Sequence, residues 1–232
     1  MKRKFYVMIG SYGSGKTELS LNLAIQNARE GKSTALVDLD IVNPYFRSAF
    51  HKKLLDEYGV KLIASQYTLE ASDVPVVAPE VLSAFDGSFE AVVFDVGGDP
   101  VGATALGQYR HRFQMIPPDQ REILFVVNTR RPLTQTKEEI CEMLDKIQTA
   151  SRLKVTGIVN NTNLAAESDC SLLDEGQDIL EKVSRYTRIQ IQYYGIQKKI
   201  YTEQLEERYE GDPILLERYT RLEWLDFVPC QT

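Results

Sequence analysis

Five successive apolar residues, Phe5-Tyr6-Val7-Met8-Ile9, run into Gly10-Ser11-Tyr12-Gly13-Ser14-Gly15-Lys16-Thr17, after which Leu19, Leu23 and Ala24 recur at helical spacing toward Glu30. An apolar run ahead of a glycine-rich turn predicts a buried strand, and the 3.6-residue period after it predicts a helix packed back on that strand. A strand apolar on both faces needs cover on both, which is the signature of a mostly parallel sheet with crossover helices.

The rest of the chain repeats that unit. Gly31 stops the first helix, and a second strand is expected at 34–37. Asn43 followed by Pro44 reads as an N-cap with Pro at the first helical position, so a helix is expected to run to Tyr58 before Gly59. Further strands are expected at 60–64, 91–94, 123–127, 155–159 and 189–194, and helices at 79–85, 136–150 and 171–186. Within 136–150, Ile140, Met143, Leu144 and Ile147 have the i, i+3, i+4, i+7 spacing of an amphipathic helix. The expected architecture is α/β: a three-layer, doubly wound sheet of about seven mostly parallel strands with helices on both faces. Beyond Lys198, charges and aromatics mix and Gly211-Asp212-Pro213 divides the tail into two expected helices. Leu215, Leu216, Tyr219, Leu222 and Trp224 give the tail an apolar side, with Glu217, Glu223 and Asp226 where a membrane-surface helix would carry Lys and Arg. Residues 198–232 are therefore expected to pack as a helical tail on a single domain spanning 1–232.

Composition narrows the function. The chain has 232 residues with 27 Lys plus Arg against 33 Asp plus Glu, a net charge of -6, which disfavours nucleic acid and anionic lipid as partners. At 43% hydrophobic and 26% charged it has enough apolar surface to exclude disorder and low-complexity scaffolds. Cys141, Cys170 and Cys230 contain no C-x-x-C pair, so neither a disulfide framework nor a zinc or iron–sulfur site is suggested. His51 and His111 are too few for a zinc site. No apolar run approaches the ~20 residues of a membrane span, and Met1-Lys2-Arg3-Lys4 lacks the apolar stretch of a secretory signal. A cytoplasmic protein without a membrane span is expected.

Residues 10–17 match G-x-x-x-x-G-K-[ST] at every fixed position. From average residue usage, a chance match in such a chain has a probability on the order of 1%, and its place between a strand and a helix lowers that further. Glycines let successive N–H groups face an anion, Lys16 sets a compact positive charge on the β- and γ-phosphates, and Thr17 offers a hydroxyl to Mg²⁺. The binding segment is accordingly read as Gly10, Ser11, Tyr12, Gly13, Ser14, Gly15, Lys16 and Thr17, with the next position, Glu18, included. Asp38-Leu39-Asp40 follows the second strand and Asp95-Val96-Gly97-Gly98-Asp99 the fourth. Both clusters fall at C-terminal strand ends, where open α/β sheets bind ligands. A carboxylate there can hold magnesium-bound water or orient the attacking water, and such Asp residues also cap helices.

On the segments 10–17, ALVDLDIVNP at 35–44, VVFDVGGDP at 92–100 and GIVNN at 157–161, the chain resembles the P-loop ATPase class of the MinD/ParA proteins, the nitrogenase iron protein and dethiobiotin and cobyrinate synthetases. The resemblance implies a P-loop NTPase fold with ATP and Mg²⁺. It implies that Asp40 positions the hydrolytic water, that Asp38, Asp95 and Thr17 serve the metal, that Gly98 senses the γ-phosphate, and that Asn161 reads the adenine edge. An Asn in a turn can also bond its own backbone. Asn128-Thr129-Arg130-Arg131 lacks the Lys and Asp of N-K-x-D, which favours ATP over GTP. One departure stands out: Ser11 occupies the position of the second, trans-acting lysine of MinD/ParA loops. Arg47 or a partner protein is then expected to supply the missing charge, and turnover to be slow.

Three functions fit. The first is a Mg²⁺-dependent ATPase that binds ATP and ADP as a switch for a protein partner, with 43–47 and 97–107 as switch segments and a homodimer left open. The second is an ATP-dependent synthetase or kinase acting on a small molecule held by Arg110, His111, Arg112, Arg130 and Arg131. The third is a nucleotide-binding module without turnover.

Overall fold

The computed structural model describes residues 3–39, 44–64, 79–98, 100–164 and 170–220, and for residues 44–50, 100 and 101 the backbone only. Its core is one sheet of eight strands: β1 (Lys4–Gly10), β2 (Thr34–Leu39), β3 (Lys61–Ala64), β4 (Ala91–Val96), β5 (Arg121–Val127), β6 (Gly157–Asn160), β7 (Ile191–Gln197) and β8 (Asp212–Leu216). The spatial order is β3-β2-β4-β1-β5-β6-β7-β8, and every neighbouring pair is parallel.

Parallel pairing requires a crossover after each strand, and helices supply most of them. α1 (Lys16–Arg29) and α2 (Pro44–Glu57) cover one face; α3 (Pro79–Leu82), α4 (Pro100–Gly107), α5 (Arg110–Met115), α6 (Lys137–Ser151) and α7 (Cys170–Thr187) cover the other. Strand side chains alternate between the faces. Met8, Leu36, Val93, Leu124 and Val126 pack under Leu19, Leu23 and Ile25 of α1, while Val7, Val37, Phe94 and Phe125 pack under Leu106, Phe113, Leu144 and Leu180. The central β1 and β4 carry apolar runs, Val7–Ile9 and Ala91–Phe94, whose side chains are buried on both faces of the sheet. α6 opens with a capping box in which Thr136 accepts from the Glu139 amide and Glu139 reaches back to Thr136.

One sequence expectation is corrected. The tail forms no helix pair through residue 220, and the remainder of the expected second helix, 221–232, lies outside the described residues. The tail makes a 3-10 turn at Glu203–Leu205 and then an eighth strand against β7. Leu215, Tyr219 and Leu222 mimic a helical period, but pairing with β7 recovers a full ladder of backbone hydrogen bonds, and Pro213 is tolerated because β8 is an edge. Most of the glycine-rich 97–107 segment is helix: α4 packs closely on α6, with Gly107 against the carbonyls of Ala150 and Ser151. The remaining expected strands and helices are present, with ends shifted by a few residues.

Candidate nucleotide site

β1 delivers the 10–17 loop to the C-terminal edge of the sheet, and α1 begins inside it at Lys16. Gly15 precedes the helix with φ +90°, a left-handed conformation that glycine adopts without steric cost. Lys16 is buried at 7% exposure and donates to the Ser11 carbonyl at 2.9 Å, so its ammonium is folded back over the loop. The Ser11 and Ser14 hydroxyls are buried in the same loop with no hydrogen-bond partner among the described residues. A buried hydroxyl left unsatisfied costs about 1–3 kcal/mol. Two such hydroxyls beside a buried ammonium fit a ligand made of acceptor oxygens.

Gly98 closes the site from β4. A β-carbon there would fall 2.7 Å from the Tyr12 Cα and 2.9 Å from the Lys16 Nζ, so only a glycine backbone can lie this close to the loop. Asp38 and Asp95 are direct register partners on β2 and β4 and share the face covered by α1. Asp95 is buried and accepts from Ser20 Oγ of α1 at 3.4 Å. With Thr17 at the head of α1, these are hard oxygen donors of the kind magnesium takes, and few protein ligands suffice when phosphates supply the rest. Among the described residues no group of three or more His, Cys, Asp or Glu could hold a metal alone. Asp40 lies outside the described residues, as does the Arg47 side chain; the Arg47 backbone is in the first turn of α2.

The other flank is built from amides. Asn161, after β6, donates through Nδ2 to the Ser14 carbonyl at 2.7 Å, and its Oδ1 is buried without a partner among the described residues. Its amide is boxed in: β-carbons on Gly15 or Gly195 would overlap it. Asn161 therefore braces the loop from below. Asn128 organises the turn after β5, accepting from the Arg130 amide at 2.9 Å through Oδ1 and donating to the Asn163 carbonyl at 3.1 Å, while Thr134 bonds the Asn128 carbonyl at 2.8 Å. That turn lays Arg131 on the phosphate loop, its Nε donating to the Gly13 carbonyl at 3.1 Å. Sequence spacing does not announce this contact; only the adjacency of β5 and β1 creates it.

Three other expectations fare differently. The Glu18 carboxylate accepts from the amides of Tyr219 and Thr220. Arg130 pairs with Glu175. Arg110, His111 and Arg112 sit on α5, which leads into the start of β5 and so toward the opposite edge from the phosphate loop.

The fold and the loop define a P-loop NTPase: a parallel α/β sheet whose first strand ends in a lysine-bearing anion cradle at a helix N-terminus. Residues 6–185 match the CobQ/CobB/MinD/ParA nucleotide binding domain, and the chain belongs to that family. No curated protein matches the chain in sequence. Among solved structures it is similar to the cell division protein FtsY of Thermotoga maritima, with 20% identity, a TM-score of 0.56, and coverage of 84% of this chain and 62% of that one. It is also similar to the signal recognition particle receptor FtsY of Elizabethkingia anophelis, with 22% identity, a TM-score of 0.57, and coverage of 86% and 60%. The signal recognition particle 54 kDa protein of Aeropyrum pernix in complex with GDP shares 16% identity at a TM-score of 0.53 and coverage of 82% and 41%. The chain thus spans about three-fifths of the length of the FtsY chains it matches, and the likeness is one of fold. No helix among the described residues is long and apolar enough to cross a membrane.

Proposed function

We propose that this chain binds ATP with Mg²⁺, hydrolyses it slowly, and uses the bound nucleotide as a switch for a protein partner in the cytoplasm. The observation that carries this reading is the buried Lys16 ammonium close to Gly98, with two buried hydroxyls of the same loop unpartnered among the described residues and Asp38 and Asp95 in register on β2 and β4. Lys16 and the loop amides would hold the β- and γ-phosphates. Thr17, Asp38 and Asp95 would hold the magnesium, which neutralises phosphate charge when bound. Asp40 would orient the attacking water, and Gly98 would register the γ-phosphate. With Ser11 in place of a second lysine, Arg47 or a partner supplies the remaining charge, and turnover stays far below about one per second without it.

ATP rather than GTP is supported by the turn after β5. Guanine presents N–H donors that call for a carboxylate, and Asn128–Arg131, which lacks the Lys and Asp of N-K-x-D, contains none. Asn161 is proposed to read the adenine edge as well as brace the loop. Single-turnover phosphate release from ATP and GTP tests the reading directly. Slow release from ATP, a lower rate with GTP, and a protein retained by the ATP-loaded but not the ADP-loaded chain are expected. Rapid hydrolysis by the isolated chain, or transfer of the phosphoryl group to an added small acid, would replace this proposal with the synthetase reading.

A further inference from the structure

Glu18 sits in the first turn of α1, peptide-bonded to Thr17, and is claimed by the far end of the described chain. Its Oε1 accepts from the Tyr219 amide at 2.6 Å and its Oε2 from the Thr220 amide at 3.0 Å and the Thr220 hydroxyl. One turn on, Asn22 makes a reciprocal pair with the Glu217 backbone: Nδ2 donates to the Glu217 carbonyl at 2.9 Å and Oδ1 accepts from its amide at 2.8 Å. Residues 217–220 therefore run back along α1 toward the phosphate loop as a strap. Glu217 pins the strap further, accepting from Lys198 at 2.9 Å and Arg29 at 3.2 Å.

A carboxylate and a polyphosphate at one helix N-terminus compete for the same positive end and repel each other. The strap occupies both oxygens of that carboxylate with N–H and O–H donors and holds it on the flank of α1. We propose that Glu18 is a positioning residue whose charge opposes polyphosphate binding when bare, and that docking of the 217–220 strap screens it, so strap docking and nucleotide binding favour each other. The inference rests on the nucleotide-binding reading and adds a control element to it. By linkage, whatever pulls the strap away, such as a partner that grips the C-terminal segment, weakens nucleotide binding by the factor by which nucleotide tightens the strap.

The test measures calorimetric affinity for ATP, AMP and inorganic tripolyphosphate in the full chain, in Thr220→Pro, which removes the amide and hydroxyl donors together, and in a chain ending at Leu216, each with and without Glu18→Ala. Thr220→Pro and the shortened chain should each bind tripolyphosphate and ATP about two- to fivefold more weakly, with a smaller change for AMP. In the Glu18→Ala background both changes should vanish. Fluorescence anisotropy of Trp224, the chain's one tryptophan, should rise when tripolyphosphate is added to the full chain. Equal affinities across the set, a loss that survives Glu18→Ala, or a loss as large for AMP as for tripolyphosphate would overturn the inference. If the unaltered chain binds neither ATP nor tripolyphosphate, the nucleotide reading fails instead. Comparison of the two strap variants, with thermal unfolding of each, separates a screening effect from a folding defect.

Discussion

The two flanks of the phosphate loop are built from opposite chemistry. On the β4–β2 side lie carboxylates and bare backbone: Asp95 and Asp38 in register, and Gly98 against the Lys16 ammonium. On the β5–β6 side lie neutral amides and hydroxyls, Asn128, Thr129, Thr134, Asn161 and Thr162, all buried and bonded chiefly to backbone. A carboxylate beside a phosphate loop can meet a cation or a water, whereas an amide that bonds backbone holds the shape of the loop. On the proposed reading the acidic flank serves the chemistry and the amide flank the shape of the loop.

Substitutions on the two sides should therefore fail in different ways. The largest effect is expected on the acidic side: Asp40→Ala should cut single-turnover hydrolysis by about 10²–10⁴-fold while leaving the ATP dissociation constant nearly unchanged. Survival of hydrolysis would make Asp40 structural and blur the contrast. Lys16→Ala, between the flanks, should weaken ATP binding by about 1.5–3 kcal/mol, roughly ten- to a hundredfold, by calorimetry. Unchanged affinity there would remove the phosphate site altogether.

On the amide side, Asn161→Ala should weaken ATP and ADP alike by about 1–3 kcal/mol, since the Ser14 carbonyl loses its donor and the loop its support. A matching shift in the ATP-to-GTP preference would show that Asn161 reads the base too, and no change in either would reject both roles. The smallest effect belongs to the strap. Hydrogen bonds from Lys198, Arg29 and Tyr219 hold the Glu217 carboxyl down at about 2, below its ordinary 4.5. A depressed folded-state value means that the contribution is complete above about pH 4.5 and is lost as pH falls toward 2. Because the pair is largely solvent-exposed, it is worth no more than about 1 kcal/mol. Urea unfolding at pH 7 and pH 3 should show that Glu217→Gln removes this much of the acid sensitivity and leaves nucleotide binding at pH 7 within about twofold.

The parallel sheet, the phosphate loop and the acidic strand ends are all legible in the residue pattern. Apolar runs with a helical period between them admit little else, and the requirements of a polyphosphate are local, being met within eight consecutive residues. Long-range packing decided the eighth strand, where a tail with helical spacing gained a ladder against β7, and the helix within 97–107, which sets Gly107 against the carbonyls of Ala150 and Ser151 in α6. It also decided that Asn161 lies under Ser14, that Arg131 lies on Gly13, and that the Glu18 carboxylate meets the Tyr219 amide. These pairings join residues as far as 202 apart. Their partners are mostly backbone carbonyls and amides, which every residue carries, so no side-chain pattern marks them until the strand order brings them together.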